Sequence, residues 1–272
     1  MSERIDLTER LEGAGLRGLA PSDAPTPETL SFLDPAWRHV PIPRVSVVMP
    51  TLNEAPNLAH VIPQIPNWVH EVIVVDGRST DGTVEVARQL RRDVRVVLES
   101  KRGKGAALRA GFACATGDII VTIDADGSMN PNEMILLVGA LLAGADFAKG
   151  SRFIEGGGST DLSTFRALGN WGLTTSVRLL YGCRFSDLCY GYMAFWRRWT
   201  PLFDGETDGF EIETVLCVRA LQHGLKIAEV ASREAERVHG VSNLRAIPDG
   251  WRVLRTILRE RVAPNSSRAA SA

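Results

Sequence analysis

No stretch of the 272 residues stays apolar for the ~18 to 20 positions that a bilayer-spanning helix requires. Met1 to Glu12 is charged and carries no apolar secretory core, so the expected location is cytoplasmic. Neither sign of charge is in excess. Thirty-one Lys and Arg face 32 Asp and Glu, a formal charge of -1, which argues against nucleic acid as a partner. Cysteine is sparse: Cys114, Cys183, Cys189 and Cys217 form no C-x-x-C pair, give no zinc motif and suit a reducing compartment. Two glycine-rich phosphate grips are also missing. Gly103-Lys104-Gly105-Ala106 lacks the leading glycine and the hydroxyl of G-x-x-x-x-G-K-[ST]. Pro50 to Glu54 contains no glycine where a dinucleotide-binding turn would need several. There is no internal repeat, and the only biased segment is an Ala/Ser tail after Pro264.

What is present is alternation. With 44% apolar residues, the chain can bury a substantial core as one large domain or two small ones. Residues 1 to 20 suit a short helix, and six prolines between Pro21 and Pro43 predict a linker or extended arm. From Val45 the pattern changes. Strands are expected at Val45 to Met49, Glu71 to Asp76, Val94 to Leu98, Ile119 to Ile123 and Asp146 to Lys149. Helices are expected after the first, and at Thr83 to Arg91, Gly105 to Ala115 and Pro131 to Ala143. Such β-α-β spacing predicts a mostly parallel sheet with helices on both faces, whose ligands gather at the carboxyl ends of the strands. Asn53 and Glu54, Asp76 and Asp81, Lys101 and Lys104, and Asp124 and Asp126 follow four successive strands, so all four sets should line one rim. Ser79-Thr80-Asp81 reads equally as a helix cap.

The central stretch is D-I-I-V-T-I-D-A-D-G-S-M-N-P, Asp118 to Pro131. Its β-branched run predicts a buried strand, and period-two alternation would point Asp124 and Asp126 the same way. Two neighbouring carboxylates repel unless a cation lies between them, and hard oxygen donors suit Mg²⁺ or Mn²⁺ bridging to a nucleotide diphosphate. The other reading is a polar turn, since Asp and Gly are common turn residues.

Five motifs in order, VSVVMPTLNEAPNL (45–58), VIVVDGRSTDGT (72–83), KRGKGAALRAG (101–111), TIDADGSMNP (122–131) and GSRF (150–153), resemble the inverting family 2 glycosyltransferases of GT-A fold. Within them the chain is most similar to the polyprenyl-phosphate mannosyl- and glucosyltransferase branch. The resemblance covers about residues 44–262. It implies a nucleotide-binding part over 44–153, an acceptor part over 154–262, an N-terminal extension over 1–43 and a tail over 263–272. Where the family often reads D-D-G-S, this chain has Asp76-Gly77-Arg78-Ser79.

The resemblance also implies roles. Pro50, Thr51, Asn53 and Glu54 match the loop that cradles the nucleoside, Asp76 the residue that hydrogen-bonds the base, and Lys104 the loop closing over it. Asp124 matches the residue near ribose and metal, Asp126 the principal metal ligand, and Ser128 a further ligand in some relatives. Arg152 matches an arginine that faces the phosphates. Arg237 and Ser242, in a late R-x-x-G-x-S stretch, would meet phosphates, and His239 would complete the metal shell or be merely structural. Arg166, one helical turn from Asn170, matches an arginine that reaches a phosphate; a solvated helix charge is the alternative. Asp208 and Glu211, at the start of an expected helix running to His223, are candidates for acid/base work or sugar-hydroxyl contact, with helix capping as the other account. Asp187 to Trp196 should be mostly core. Gly250 to Arg261 reads as an amphipathic helix, Trp251, Leu254 and Leu258, extended by Ile257, lining one face that packs on the sheet, or alternatively lies on an anionic membrane, while Arg252, Arg255, Arg259 and Arg261 supply charge.

The expected activity is metal-dependent, inverting transfer of a hexose from a UDP- or GDP-linked donor to a polyprenyl phosphate reached at the inner membrane face. Two alternatives stand beside it: a soluble hydroxyl acceptor, and a non-catalytic nucleotide-sugar-binding protein. A homodimer is left open.

Overall fold

A computed structural model describes residues 42–205, 207–241 and 244–262. The expected N-terminal helix and proline-rich arm, and the C-terminal tail, lie outside the described residues. The chain alternates through β1 (Val45–Thr51), α1 (Ala55–Val61), β2 (Glu71–Asp76), α2 (Thr83–Leu90), β3 (Arg95–Leu98), α3 (Lys104–Cys114), β4 (Ile119–Thr122), α4 (Met134–Leu142) and β5 (Phe147–Ser151). It continues through β6 (Gly158–Ser159), α5 (Thr164–Tyr181), β7 (Met193–Trp196), α6 (Ile212–Gln222), β8 (Ile227–Ala231), β9 (Arg233–Glu234) and α7 (Ala246–Val262).

Seven strands form one sheet in the order β3-β2-β1-β4-β7-β5-β8, all neighbours parallel except where β7 meets β4 and β5. β1 and β4 are central and apolar on both faces, as a strand covered on two sides must be. Alternate residues feed separate cores. Val47, Met49, Val72 and Val121 pack under α1 and α4, whereas Val48, Ile73, Val75 and Ile120 pack under α3, α6 and α7. α3 approaches β1 closely because Gly111 has no side chain; a Cβ there would lie 2.3 Å from Val48 Cγ1.

The sheet is mostly parallel, with helices on both faces, as the alternation predicts. Two features depart from expectation. β7 runs antiparallel because the chain has already returned to the rim, where the Arg152 N–H after β5 bonds Asp187 at 3.2 Å, so the next strand must descend. α7 does pack on the body, but through Val253, Thr256, Ile257 and Glu260; Trp251 is 70% exposed and Leu258 50%. Among the described residues no helix is long and apolar enough to cross a membrane.

The strand order fixes where a ligand can sit. The chain steps outward from β1 to β3, then returns to place β4 on the other side of β1. The loops leaving β1 and β4 therefore diverge and open a crevice at their carboxyl ends.

Candidate active site

A cleft of about 1160 Å³ opens at that point, and Pro50, Thr51, Glu54, Lys104, Asp124, Asp126, Ser128, Arg152, Arg166 and Arg237 all line it. β4 ends at Thr122, so a turn rather than strand alternation carries the two aspartates to the cleft. Each has its own cation. Lys104 Nζ lies 2.6 Å from Asp124 Oδ1, while Arg237 is 3.3 Å from Asp126 Oδ2 and bonds both Glu54 oxygens at 2.9 Å. Asp126 Oδ1 also accepts from the Ser128 N–H and hydroxyl. Burial pushes the Asp124 carboxyl up, to about 6, against the pull of Lys104 and with added push from Asp126 and Glu213. Burial disfavours the Lys104 ammonium, but Asp124 and Glu213 outweigh it and hold the pKa above the ordinary lysine value.

The Gly103-Lys104-Gly105 segment is not a phosphate nest. A Cβ at Gly103 would stand 2.1 Å from the Asp208 carbonyl oxygen, and one at Gly105 2.2 Å from that of Thr207. The glycines let the loop dock on the 207–208 backbone, sealed by the Gly105 N–H donating to Asp208 O at 2.7 Å. That docking turns Lys104, the first residue of α3, inward to Asp124 and to Glu213 Oε1, also at 2.6 Å.

On the β2 side, Asp76 is 2% exposed; its Oδ2 accepts from the Ser79 N–H, and its Oδ1 is buried with no partner among the described residues. Asn53 takes a left-handed conformation, φ 56°, and its side chain accepts from the Thr80 N–H. It lines a smaller cavity of about 210 Å³ beside the main cleft. Arg78, at the glycine position of D-D-G-S, is also left-handed at φ 70° and lines the main cleft. Asp81 ties two helix starts together, accepting from the Ala55 and Thr83 N–H groups.

Several expected roles are not what the geometry shows. Arg152 lines the cleft with its guanidinium already engaged: Nε and Nη2 bond Asp187 at 2.7 and 3.0 Å, Nη1 bonds Glu234 at 3.0 Å, and Nη2 also reaches Cys189 O. Asp208 faces Lys101 and Arg109 rather than the cleft, so its charge is spent on the α3 side. Glu211 is buried beneath Gly209, with Oε2 unpartnered among the described residues, and does not line the cleft. The His239 ring lies against His60, centroids 5.4 Å apart, and is not gathered with the two aspartates; no three His, Cys, Asp or Glu side chains among the described residues could together hold a metal. Arg166 lines the cleft but pairs with Asp161 at 2.8 Å, and Asn170 bonds Asp187. Ser242 lies outside the described residues. Glu213, at the end of the acidic stretch that begins at Asp208, lines the cleft although no role was expected of it. Its signal was a carboxylate in the first turn of an otherwise apolar helix.

The profile of the family described as Glycosyl transferase family 2 matches residues 46–200. The chain belongs to that family. Polyprenol monophosphomannose synthase of Mycolicibacterium smegmatis is 34% identical to this family 2 transferase over 224 residues, 78% of this chain and 84% of the relative. Dolichol-phosphate mannosyltransferase of Pyrococcus furiosus is 36% identical over 132 residues, 46% of this chain and 38% of that one. A solved structure of glucosyl-3-phosphoglycerate synthase from Mycobacterium tuberculosis with Mn²⁺, uridine diphosphate and glucosyl-3-phosphoglycerate matches with a TM-score of 0.63, 28% identity and 82% of each chain covered. The fold is therefore GT-A and the enzyme a glycosyltransferase.

The donor set of this family 2 transferase fits a hard divalent cation. Asp124, Asp126 and the Ser128 hydroxyl supply oxygen donors only, at a crevice where diphosphate oxygens could complete the shell.

Proposed function

We propose that this family 2 transferase moves a hexose from a UDP- or GDP-linked donor to a polyprenyl phosphate, with inversion at the anomeric carbon and with Mg²⁺ or Mn²⁺ as cofactor. The observation that carries the reading is the mixed lining of the cleft. Asp124 and Asp126 line the same cleft as the apolar side chains Phe165 and Leu168 of α5, Leu244 before α7 and Ile247 in it. Phe165 is 61% exposed and Ile247 73%, and the same helices expose Trp171 and Trp251, as suits an enzyme that takes its acceptor from a lipid surface at the cytoplasmic face.

In this reading Asp76 Oδ1, a buried acceptor without a partner among the described residues, takes an N–H of the base. Asp124 and Asp126 hold the divalent ion, which when bound stabilises the negative charge of the departing nucleoside diphosphate. Arg237, whose Nη groups hold Glu54 and Asp126 and whose buried Nε has no partner among the described residues, supplies positive charge beside the phosphates. A phosphate oxygen of the acceptor attacks the anomeric carbon, the bond from that carbon to the donor diphosphate breaks, and both bonding electrons leave with the diphosphate. An ionised phosphate needs no general base, in keeping with Asp208 and Glu211 standing away from the cleft. A second reading takes support from the glucosyl-3-phosphoglycerate synthase match: a small phosphorylated acceptor entering the same cleft.

The test is transfer from a panel of nucleotide sugars to a short polyprenyl phosphate and to small phosphorylated acceptors, with product configuration read by NMR. Asp126→Ala should abolish metal-dependent transfer, and full activity in that variant would sink the reading. Asp76→Asn should weaken UDP or GDP binding by about 10- to 100-fold, the value of a hydrogen bond to a charged group, with little change in Tm. Preference for the small acceptors would favour the second reading.

A further inference from the structure

Lys104 is the one ammonium shared by two acids of the cleft, and its three elements meet from distant parts of the chain. It opens α3, Asp124 follows β4, and Glu213 lies in the first turn of α6. Nζ is 2.6 Å from each carboxylate. Room for the cluster comes from Gly191, where a Cβ would fall 2.7 Å from Glu213 Oε1 and 2.8 Å from Lys104 Nζ. The two acids are not equivalent. The Glu213 side chain is 10% exposed and that of Asp124 27%, so Asp124 is the partner that opens toward ligand.

Given the metal-dependent reading above, on which this rests, we propose that Glu213 is a positioning residue that acts through Lys104. In the donor-free cleft Asp124 and Glu213 share the ammonium. When Asp124 turns to a divalent cation, the ammonium loses one partner and is repelled by the arriving charge. Glu213 retains it at the cleft wall, and the glycine docking of residues 103–105 keeps its backbone from withdrawing. Asp124 is thereby released without expelling Lys104, which stays as a second positive charge beside the departing diphosphate. Without Glu213, Lys104 has only Asp124 and competes with the metal for it.

The experiment titrates Mn²⁺ alone into the full chain without nucleotide and reads free Mn²⁺ by EPR. Glu213→Gln should weaken Mn²⁺ binding by about tenfold in the wild-type background, yet by less than about threefold in a Lys104→Met background, because the effect runs through Lys104. If Lys104→Met does not fold, Lys104→Gln provides the second background, since its amide can still donate between the acids. The same fold-change in both backgrounds would mean that Glu213 acts by direct charge alone, or serves only the fold, and would overturn the proposal while leaving the metal reading intact. Unchanged affinity in every variant would overturn it equally. Failure of all proteins to bind Mn²⁺, with or without UDP, would overturn the metal reading and this one with it.

Discussion

Replacing Arg152 by Met should unfold the rim before it touches chemistry. The guanidinium uses four of its five N–H donors on Asp187, Glu234 and Cys189 O, and lies 4.7 Å from the Tyr190 ring centroid. The Asp187 side chain is 0% exposed and that of Glu234 8%, so the substitution leaves two buried carboxylates without their cation. Breaking a buried pair from one side costs about 3–5 kcal/mol, a large part of the ~5–15 kcal/mol that holds a typical domain together. For a domain of this size that lowers Tm on the order of 10 °C. Arg152→Lys should lose less but still fall short, because an ammonium cannot serve Asp187 and Glu234 with a planar fork. Urea unfolding followed by circular dichroism is the assay. Adding Asp187→Asn to Arg152→Met should recover a substantial part of the loss, since the stranded charge is gone. An Arg152→Met protein with an unchanged urea midpoint but collapsed nucleotide binding would refute the reasoning and return this arginine to the phosphates.

Three other outcomes are expected. Burial raises the Asp187 carboxyl, but the Arg152 hydrogen bonds and charge outweigh it and hold it below its ordinary 3.8. A depressed carboxylate contributes stability that is complete above the unfolded value and lost as pH falls through the folded one, so the urea midpoint should hold down to about pH 5 and drop below about pH 4, more shallowly in Asp187→Asn. Gly111→Ala should destabilise by about 1–3 kcal/mol despite alanine's better helix propensity, because its Cβ meets Val48. Gly139→Ala in α4, with nothing within 4 Å, should gain up to about 1 kcal/mol; equal shifts in thermal melts would contradict this.

The framework was legible because it rests on local patterns. β-branched runs gave β1, β2 and β4, and the rule about carboxyl ends put Asp124, Asp126, Lys104 and Glu54 on one rim before any contact was known. What local pattern cannot supply is the direction in which a charge is spent. Gly150-Ser151-Arg152 reads the same whether the arginine meets a phosphate or Asp187, 35 residues further on. Asp208 looked free at a helix start, yet its partners Lys101 and Arg109 lie about a hundred residues earlier. β7 escaped for a related reason: its direction is set by where the preceding loop ends, not by its own residues. The face of α7 was read only in part: Ile257 is buried as expected, but Trp251 and Leu258 are left to solvent.

The contact of Gly103 and Gly105 with the main chain of Thr207 and Asp208 has a consequence for anyone rebuilding this enzyme. Because carbonyl oxygens fill the space, the turn depends on the path of the main chain at 207 and 208, which insertions beside them would move. Grafting a foreign loop between β7 and α6 to change the acceptor would shift the wall on which the lysine-bearing turn rests. On the proposed reading, donor and acceptor preferences would then not be separable modules: a swap of that loop also moves the turn that carries Lys104.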